Sequence, residues 1–139
     1  MPRHEVFRDL SRKAYAFLAT EYGFTGPEEA ADDPNDTVFR KGPLSYRLGF
    51  NPWDRLVWGT ASLRTHDSQL RATIQELVFA AGLGPLNAVS VHARNRRSLA
   101  QSLASHADYV RLLHPMLSDV STGRALMRKA RADESPLRE

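Results

Sequence analysis

The sequence has 139 residues, and its five histidines are the first candidates for metal ligands. A helical zinc site needs two ligands four residues apart, and no two of these histidines have that spacing. The chain has no cysteine, which excludes a thiol nucleophile, a thiolate metal site and a disulfide framework. We therefore expect no metal and no cofactor. The histidines are His4, His66, His92, His106 and His114.

Other catalytic and ligand-binding motifs are also missing from the sequence. No serine lies in a G-x-S-x-G turn, and the glycines at 82 and 84 do not form a phosphate loop because Pro85 removes an amide donor. The acidic segment 28–36 lacks the glycine and the bidentate glutamate of a calcium loop, so we expect a flexible, solvated loop. No catalytic residues are predicted, and an enzyme is the third hypothesis behind two binding functions.

Three arginines lie close together where a helix is predicted to begin. They are Arg94, Arg96 and Arg97. Cations are disfavoured at a helix N-terminus, where the helix dipole is positive. One interpretation is an anion-binding site for phosphate or for a partner's carboxylates. The other is a solvated turn that pairs partly with the acidic loop.

A tryptophan lies in a predicted turn between two strands. The turn is Asn51-Pro52-Trp53-Asp54, a composition typical of a hairpin connection. Tryptophan is enriched at binding hot spots, so Trp53 and the charged residues near it are candidates for contact with a partner. We expect Trp58, in contrast, to lie in the core. The candidate charged residues are Asp54, Arg47 and Arg55, and Arg64 would join Arg47 and Arg55 on a basic outer sheet face.

The first half of the chain shows the periodicities of one helix and three strands. Apolar residues recur every three or four positions over 6–22, which predicts a helix that Gly23 ends. Strict alternation over 44–50 predicts a half-buried strand. Shorter patterns over 38–41 and 56–63 predict strands on either side of it, so we expect a three-stranded antiparallel meander.

The second half is predicted to be mainly helical. A helix would start at a cap at Asp67 or Ser68 and end at Gly82. Residues 86–91 fit either a strand or a loop. A long helix follows that Pro115 should stop, then a basic helix over about 122–132 and a polar tail over 133–139. The fold class is α+β, one domain over residues 1–139, with an N-terminal helix, the meander, and two to three helices on one face of the sheet.

One stretch resembles a known group of proteins. The run 17–24, FLATEYGF, is followed by a strand that carries Tyr46, and a later helix ends in the run 112–119, LLHPMLSD. This pattern resembles small bacterial proteins of the immunity type, which neutralise the toxins of polymorphic-toxin and contact-dependent inhibition systems. The resemblance implies an α+β fold and a toxin as partner, and it supplies no catalytic residues.

These observations lead to two hypotheses about function. The first is a non-enzymatic protein-binding module of the immunity type that covers a partner's active site. The alternative is a small nucleic-acid-associated protein that uses the Arg94–Arg97 cluster and the basic C-terminal helix. The net charge is only +3, and no apolar run approaches the roughly 20 residues that span a membrane. No secretory leader is recognisable, so we expect a bacterial cytoplasmic protein with no membrane partner.

Overall fold

The computed structural model describes residues 4–137, and within them the chain forms five helices and six strands. In chain order these are α1 (His4–Ala14), α2 (Ala16–Tyr22), β1 (Thr25–Glu29), β2 (Thr37–Lys41), β3 (Leu44–Asn51), β4 (Leu56–Arg64), β5 (Ser68–Thr73), α3 (Ile74–Ala80), α4 (Arg96–Leu117), α5 (Val120–Lys129) and β6 (Asp133–Pro136).

The strands form one antiparallel sheet in which spatial order equals chain order, β1 to β6. Helices α3, α4 and α5 are inserted between β5 and β6. The α+β class and the N-terminal helix are confirmed. The predicted three-stranded meander is wrong in extent, because β1, β5 and β6 extend it to six strands within the described residues.

Strand β3 sorts its side chains to the two faces as its alternation predicts. Leu44, Tyr46, Leu48 and Phe50 are buried, and they face the side of the sheet on which the helices pack. Their register partners on β4 are also buried, so the two strands form the centre of the core. We call this the inner face, and the opposite face the outer face. The β4 partners are Leu63, Ala61, Gly59 and Val57.

The predicted helix over 6–22 is two helices that meet at Tyr15. Residues two positions apart lie on nearly opposite sides of a straight helix. The break lets Tyr15 and Phe17 both enter the core, where the Tyr15 ring stacks on Phe17 and on Phe39. Gly23 ends α2 in the left-handed conformation, with φ +75°, as predicted.

The helix predicted to start at Asp67 or Ser68 is wrong at its N-terminal end. Residues 68–73 form β5, which alternates with Ser68, Leu70 and Ala72 buried. Helix α3 begins only after Thr73, whose side chain accepts a hydrogen bond from the Glu76 N–H while the Glu76 carboxylate accepts one from the Thr73 N–H. This capping box satisfies two backbone donors and fixes the start of the helix.

Two further predictions need correction in the C-terminal half, and the alternative left open for residues 86–91 is decided. Pro115 does not stop α4, because it lies in the last turn and the helix continues to Leu117. Residues 86–91 are a loop, although the neighbouring His92 forms a single bridge to Leu56. Residues 133–136 of the predicted tail pair with β5 as strand β6. Residues 138 and 139 of that tail lie outside the described residues.

The acidic segment 28–36 is likewise only partly a loop. Glu28 and Glu29 belong to β1, and the remainder connects β1 to β2. Asp36 is buried immediately before β2, and its backbone N–H donates to the Asp33 carbonyl.

Trp58 lies on the outer face, not in the core as predicted. Its register partner on β3 is Gly49, and its indole lies across that glycine. A Cβ at position 49 would be 1.9 Å from Cζ2 of Trp58, so only glycine leaves room for the ring. The guanidinium of Arg47 lies 5.9 Å from the centre of the same indole.

The contact between Gly49 and Trp58 can be tested by a double-mutant cycle. Gly49→Ala should lower the free energy of unfolding by about 2–3 kcal/mol, because the indole must leave its place on the strand. In a Trp58→Ala background the same change should cost less than about 0.5 kcal/mol or stabilise, since glycine is unfavourable inside a strand. Denaturant unfolding of the four proteins gives these values. An equal cost in both backgrounds would contradict the described packing.

Candidate binding surface

The turn between β3 and β4 is fixed by the side chain of Asn51. Its Oδ1 accepts hydrogen bonds from the backbone N–H groups of Trp53 (3.0 Å) and Asp54 (3.2 Å). Its Nδ2 donates to Oδ2 of Asp54 at 2.9 Å. Such local bonds from an asparagine side chain stabilise a turn without help from the rest of the protein. The tip of this hairpin therefore has a defined shape.

The fixed turn holds Trp53 in solvent. Its side chain is 90% exposed, the highest value among the exposed large apolar residues of the structure. Arg55, two residues on, adopts φ +55°, in the left-handed region that most residues avoid. Trp53, Asp54 and Arg55, three of the residues predicted to contact a partner, are all exposed in this turn.

The segment before α4 runs alongside the hairpin. The Ala93 N–H donates to the Arg55 carbonyl at 2.8 Å, and the Val57 N–H donates to the Val91 carbonyl at 2.9 Å. Arg94 directly follows Ala93, so the arginine cluster begins beside the hairpin tip. The structure thus brings together two candidate sites that lie about forty residues apart in the chain. We call the combined patch of Trp53, Arg55, Arg94, Arg96 and Arg97 the hairpin–arginine surface.

The arginines of this surface carry uncompensated positive charge. All four are exposed, and within residues 4–137 none of them forms a salt bridge. The start of α4 adds the positive end of its helix dipole. Asn95 caps that helix by accepting a hydrogen bond from the Ser98 N–H at 2.9 Å. The cap offsets part of the cost of placing arginines there, and the remaining field favours an anionic partner.

Arg47, the fourth residue predicted to contact a partner, lies elsewhere and is already paired. It is on the outer face, opposite Thr60 on β4. Its Nε and Nη2 donate to Oδ2 of Asp36 at 2.8 and 2.6 Å, and its Nη1 lies 2.9 Å from Oδ1 of Asp32. Two carboxylates thus hold this guanidinium and tie the loop before β2 to the sheet.

The two aspartates that bind Arg47 respond to it differently. The hydrogen bond from Arg47 lowers the pKa of the exposed Asp32. Burial raises the pKa of Asp36, although the hydrogen bonds from Arg47 act in the opposite direction. The guanidinium is therefore what keeps a charged Asp36 tolerable at its buried position.

The outer face is basic, as predicted, but some of its arginines are neutralised by carboxylates. Arg40, Arg64 and Arg71 lie on this face with Arg47, as the strand registers require. Arg40 faces Glu28 at 3.7 Å, whereas Arg64 and Arg71 form no salt bridge among the described residues. Arg55, which was predicted to share this face, belongs to the hairpin–arginine surface instead.

The histidines do not converge. His66 is exposed beside Asp67, and His92 is exposed next to the hairpin. His106 is buried, its Nδ1 donates to the Ser102 carbonyl at 2.9 Å, and burial lowers its pKa so that it is neutral at pH 7. In the part of the chain that the structure describes, no group of three or more histidine or carboxylate side chains could hold a metal ion.

Sequence reasoning missed the fixed shape of the turn and the neighbourhood of the two candidate sites. Asn51 before Pro52 was a signal for a side chain that folds onto its own turn. The alternation of Val89 and Val91 hinted at an extended segment, but it did not identify the strand that this segment follows. Only the tertiary structure places Ala93 on Arg55.

Between residues 4 and 137, no helix is long and apolar enough to cross a membrane. Comparison with models of protein families, with curated proteins and with solved structures finds no match for the chain. The fold and its exposed residues define an α+β protein with a tryptophan-tipped, arginine-rich surface.

The pairing of Arg47 with Asp36 can be tested by its dependence on pH. Arg47→Met should lower stability by about 2 kcal/mol at neutral pH, because it leaves a buried carboxylate without its partner. The unfolded chain loses the Asp36 proton near the ordinary value of 3.8, and the folded variant, with its higher pKa, loses it at higher pH. The variant's stability should therefore fall as the pH rises through that interval, and recover on acidification.

The matched control is Arg40→Met on the neighbouring strand. Arg40 and Glu28 are both half-exposed, so removing this pair should cost less than about 0.5 kcal/mol. Denaturant unfolding at about pH 4 and about pH 7 compares the two variants with the parent protein. If Arg47→Met lost the same stability at both pH values, the assigned role of Asp36 would be refuted.

Proposed function

We propose that this protein is a protein-binding module whose contact region is the hairpin–arginine surface. The observation that supports the proposal is the 90% exposure of Trp53 on a turn that Asn51 holds in place. An aromatic side chain of this kind buries roughly 150–250 Å² when covered, which is worth about 4–6 kcal/mol at 25 cal/mol/Å². Because the turn is fixed beforehand, little of this gain is lost in ordering it.

The charges around Trp53 favour an acidic partner surface. Four exposed arginines without salt bridges among the described residues would attract carboxylates and accelerate the encounter. Arginine and tryptophan are also two of the side chains most common at binding hot spots. The combination supports recognition of a protein with an acidic cleft or rim.

We further propose, from the resemblance to immunity proteins, that the partner is a bacterial toxin met in the cytoplasm. Insertion of the hairpin would block the toxin's active site sterically, with no chemistry by this protein. A nuclease is a poor target for such a surface, because its cleft is basic where it binds phosphates. The proposal therefore favours a toxin whose cleft is acidic.

The experiment compares three tagged proteins in lysate of the native host, each with and without nuclease treatment. They are the parent protein, Trp53→Ala, and Phe79→Ala as control, since Phe79 is another exposed aromatic, on α3. We expect one protein to co-purify in stoichiometric amount with the parent protein and with Phe79→Ala, both with and without nuclease treatment. Trp53→Ala should weaken its binding at least about 30-fold, as for a hot-spot residue.

The identified partner then allows a direct test of occlusion. The parent protein should inhibit the partner's activity in proportion to the complex formed, and Trp53→Ala should require a correspondingly higher concentration. Equal binding by Trp53→Ala and Phe79→Ala would exclude the hairpin as the contact. Loss of every partner on nuclease treatment would refute the protein-binding function.

A second candidate function is binding of single-stranded nucleic acid, because Trp53 lies beside arginines. Bases stack on exposed aromatic rings while cations contact the phosphates. The basic helix α5 begins at the far end of α4, which is 22 residues long, so the start of α5 lies about 33 Å from Arg96 and we leave this helix out of the site. Nucleic acid would thus bind through the hairpin–arginine surface alone.

Salt dependence tests this alternative with a labelled single-stranded oligonucleotide. If all four arginines contact phosphates, the log–log slope of affinity against salt should be about −3, at roughly −0.7 for each contact. Arg96→Gln should make the slope shallower by about 0.7, and Arg128→Gln on α5 should leave it unchanged. No binding at low salt would refute the alternative.

A further inference from the structure

A cavity of about 230 Å³ lies at the opposite end of α4 from the hairpin–arginine surface. Apolar side chains form most of its wall: Phe24 after α2, Pro43 and Leu44 at the turn between β2 and β3, and Leu117 at the end of α4. Three polar side chains, Lys41, His114 and Ser118, complete it. An apolar cavity of roughly 150 Å³ is large enough for a benzene ring, so this one can take a ring with a polar substituent.

His114 has a fixed orientation in this wall. Its ring lies 4.1 Å from that of Tyr22 and 5.4 Å from that of Phe24, measured between centroids. Its Nδ1 is 3.2 Å from the hydroxyl of the buried Tyr46. Aromatic rings on several sides and one hydrogen bond thus hold the imidazole in place.

The hydrogen bond to Tyr46 determines which nitrogen of His114 carries the proton. Burial raises the pKa of Tyr46, so its phenol keeps its hydrogen. Within residues 4–137, Nδ1 of His114 is the acceptor within reach, and a buried hydroxyl hydrogen without an acceptor is costly. Tyr46 therefore donates, and the proton of the neutral imidazole is on Nε2. Burial and the nearby Lys41 lower the pKa of His114, which favours this neutral form at pH 7.

Nε2 of His114 remains available to a ligand. It makes no hydrogen bond among the described residues. Unlike Nε2 of His106, which is buried without a partner, it is accessible from outside. A ring that lines the cavity with a free N–H presents a hydrogen-bond donor to whatever occupies it.

Lys41 supplies a positive charge at the same cavity. Its Nζ donates to the Tyr22 carbonyl at 2.5 Å, and it forms no salt bridge with the described carboxylates. An ammonium group has three donors, so two remain for a ligand. The bond to Tyr22 holds the charge near the cavity instead of leaving it free in solvent.

We propose that this cavity binds a small organic carboxylate with an apolar body of about the size of benzoate. The carboxylate would accept from Lys41 Nζ and His114 Nε2, and the apolar body would pack on Phe24, Leu44 and Leu117. A neutral ligand would form no ion pair with Lys41. A carboxylate without an apolar group would leave the apolar wall of the cavity exposed to water. This site is independent of the hairpin–arginine surface.

Three probes separate these contributions in an NMR titration of the full chain. Benzoate has both the ring and the charge, benzyl alcohol has the ring alone, and acetate has the charge alone. Benzoate should bind at least about tenfold more tightly than either of the others. The methyl signals of Leu44 and Leu117 should shift, and bound benzoate, but not benzyl alcohol, should raise the pKa of His114.

Variants of Lys41 test the ionic contact without disturbing the core. Lys41→Met should weaken benzoate about tenfold and leave benzyl alcohol unchanged, whereas Lys41→Arg should restore benzoate binding. Lys129→Met, an exposed lysine on α5, is the matched control and should change neither. Equal affinity for benzoate and benzyl alcohol, no effect of Lys41→Met, shifts confined to other residues, or no saturable binding would each overturn the proposal. Trp53→Ala should leave benzoate binding intact. Failure of this proposal can therefore be distinguished from failure of the proposed protein-binding function.

Discussion

The register of the eight residue pairs between β3 and β4 determines which side chains are buried and which are exposed to solvent. Because successive residues of a strand point to opposite faces, one register places Leu44, Tyr46, Leu48 and Phe50 under the helices and leaves Arg47 outside. A slip by one residue would exchange the two sets and expose the core. The same register carries β3 and β4 to their common turn, so the position of Trp53 depends on it. His114 also depends on it, since Tyr46 reaches the imidazole from the inner face.

The arginines of this protein do two different things, and their neighbours decide which. Arg47 has two aspartates within hydrogen-bond distance, so its charge is used to hold a loop against the sheet. Arg55 and the arginines before and within the first turn of α4 have no carboxylate partner in the described chain. Their charge remains available to another molecule. Composition alone does not distinguish these roles, because both kinds of arginine look alike in a sequence with a net charge of +3.

Sequence reasoning predicted an element correctly where its apolar residues fitted only one periodicity. It failed where they fitted both the helical period and the strand period. The alternation over 44–50 predicted β3 correctly. Leu70 and Ile74 fit a helical stripe, but Leu70 belongs to a strand and Ile74 opens α3, and the capping box of Thr73 and Glu76 was the local signal that separated them. Strand β6 has four exposed residues and no apolar pattern, so nothing local could have predicted it. The hydrogen bond between Ala93 and Arg55, which places the start of the arginine cluster near the hairpin, joins residues distant in sequence, and no local pattern encodes it.

The two edges of the sheet have a consequence for self-association. Strand β1 carries Pro27, Glu28 and Glu29, and β6 carries Asp133, Glu134 and Pro136. An exposed edge can template the addition of a strand from another chain, and prolines and like charges oppose this. The two acidic residues of β6 form no salt bridge among the described residues, whereas Glu28 and Glu29 on β1 lie near Arg40 and Arg8. The feature that both edges share against such pairing is therefore their proline. A proline on each edge strand thus makes the addition of a further strand less favourable at both ends of the sheet.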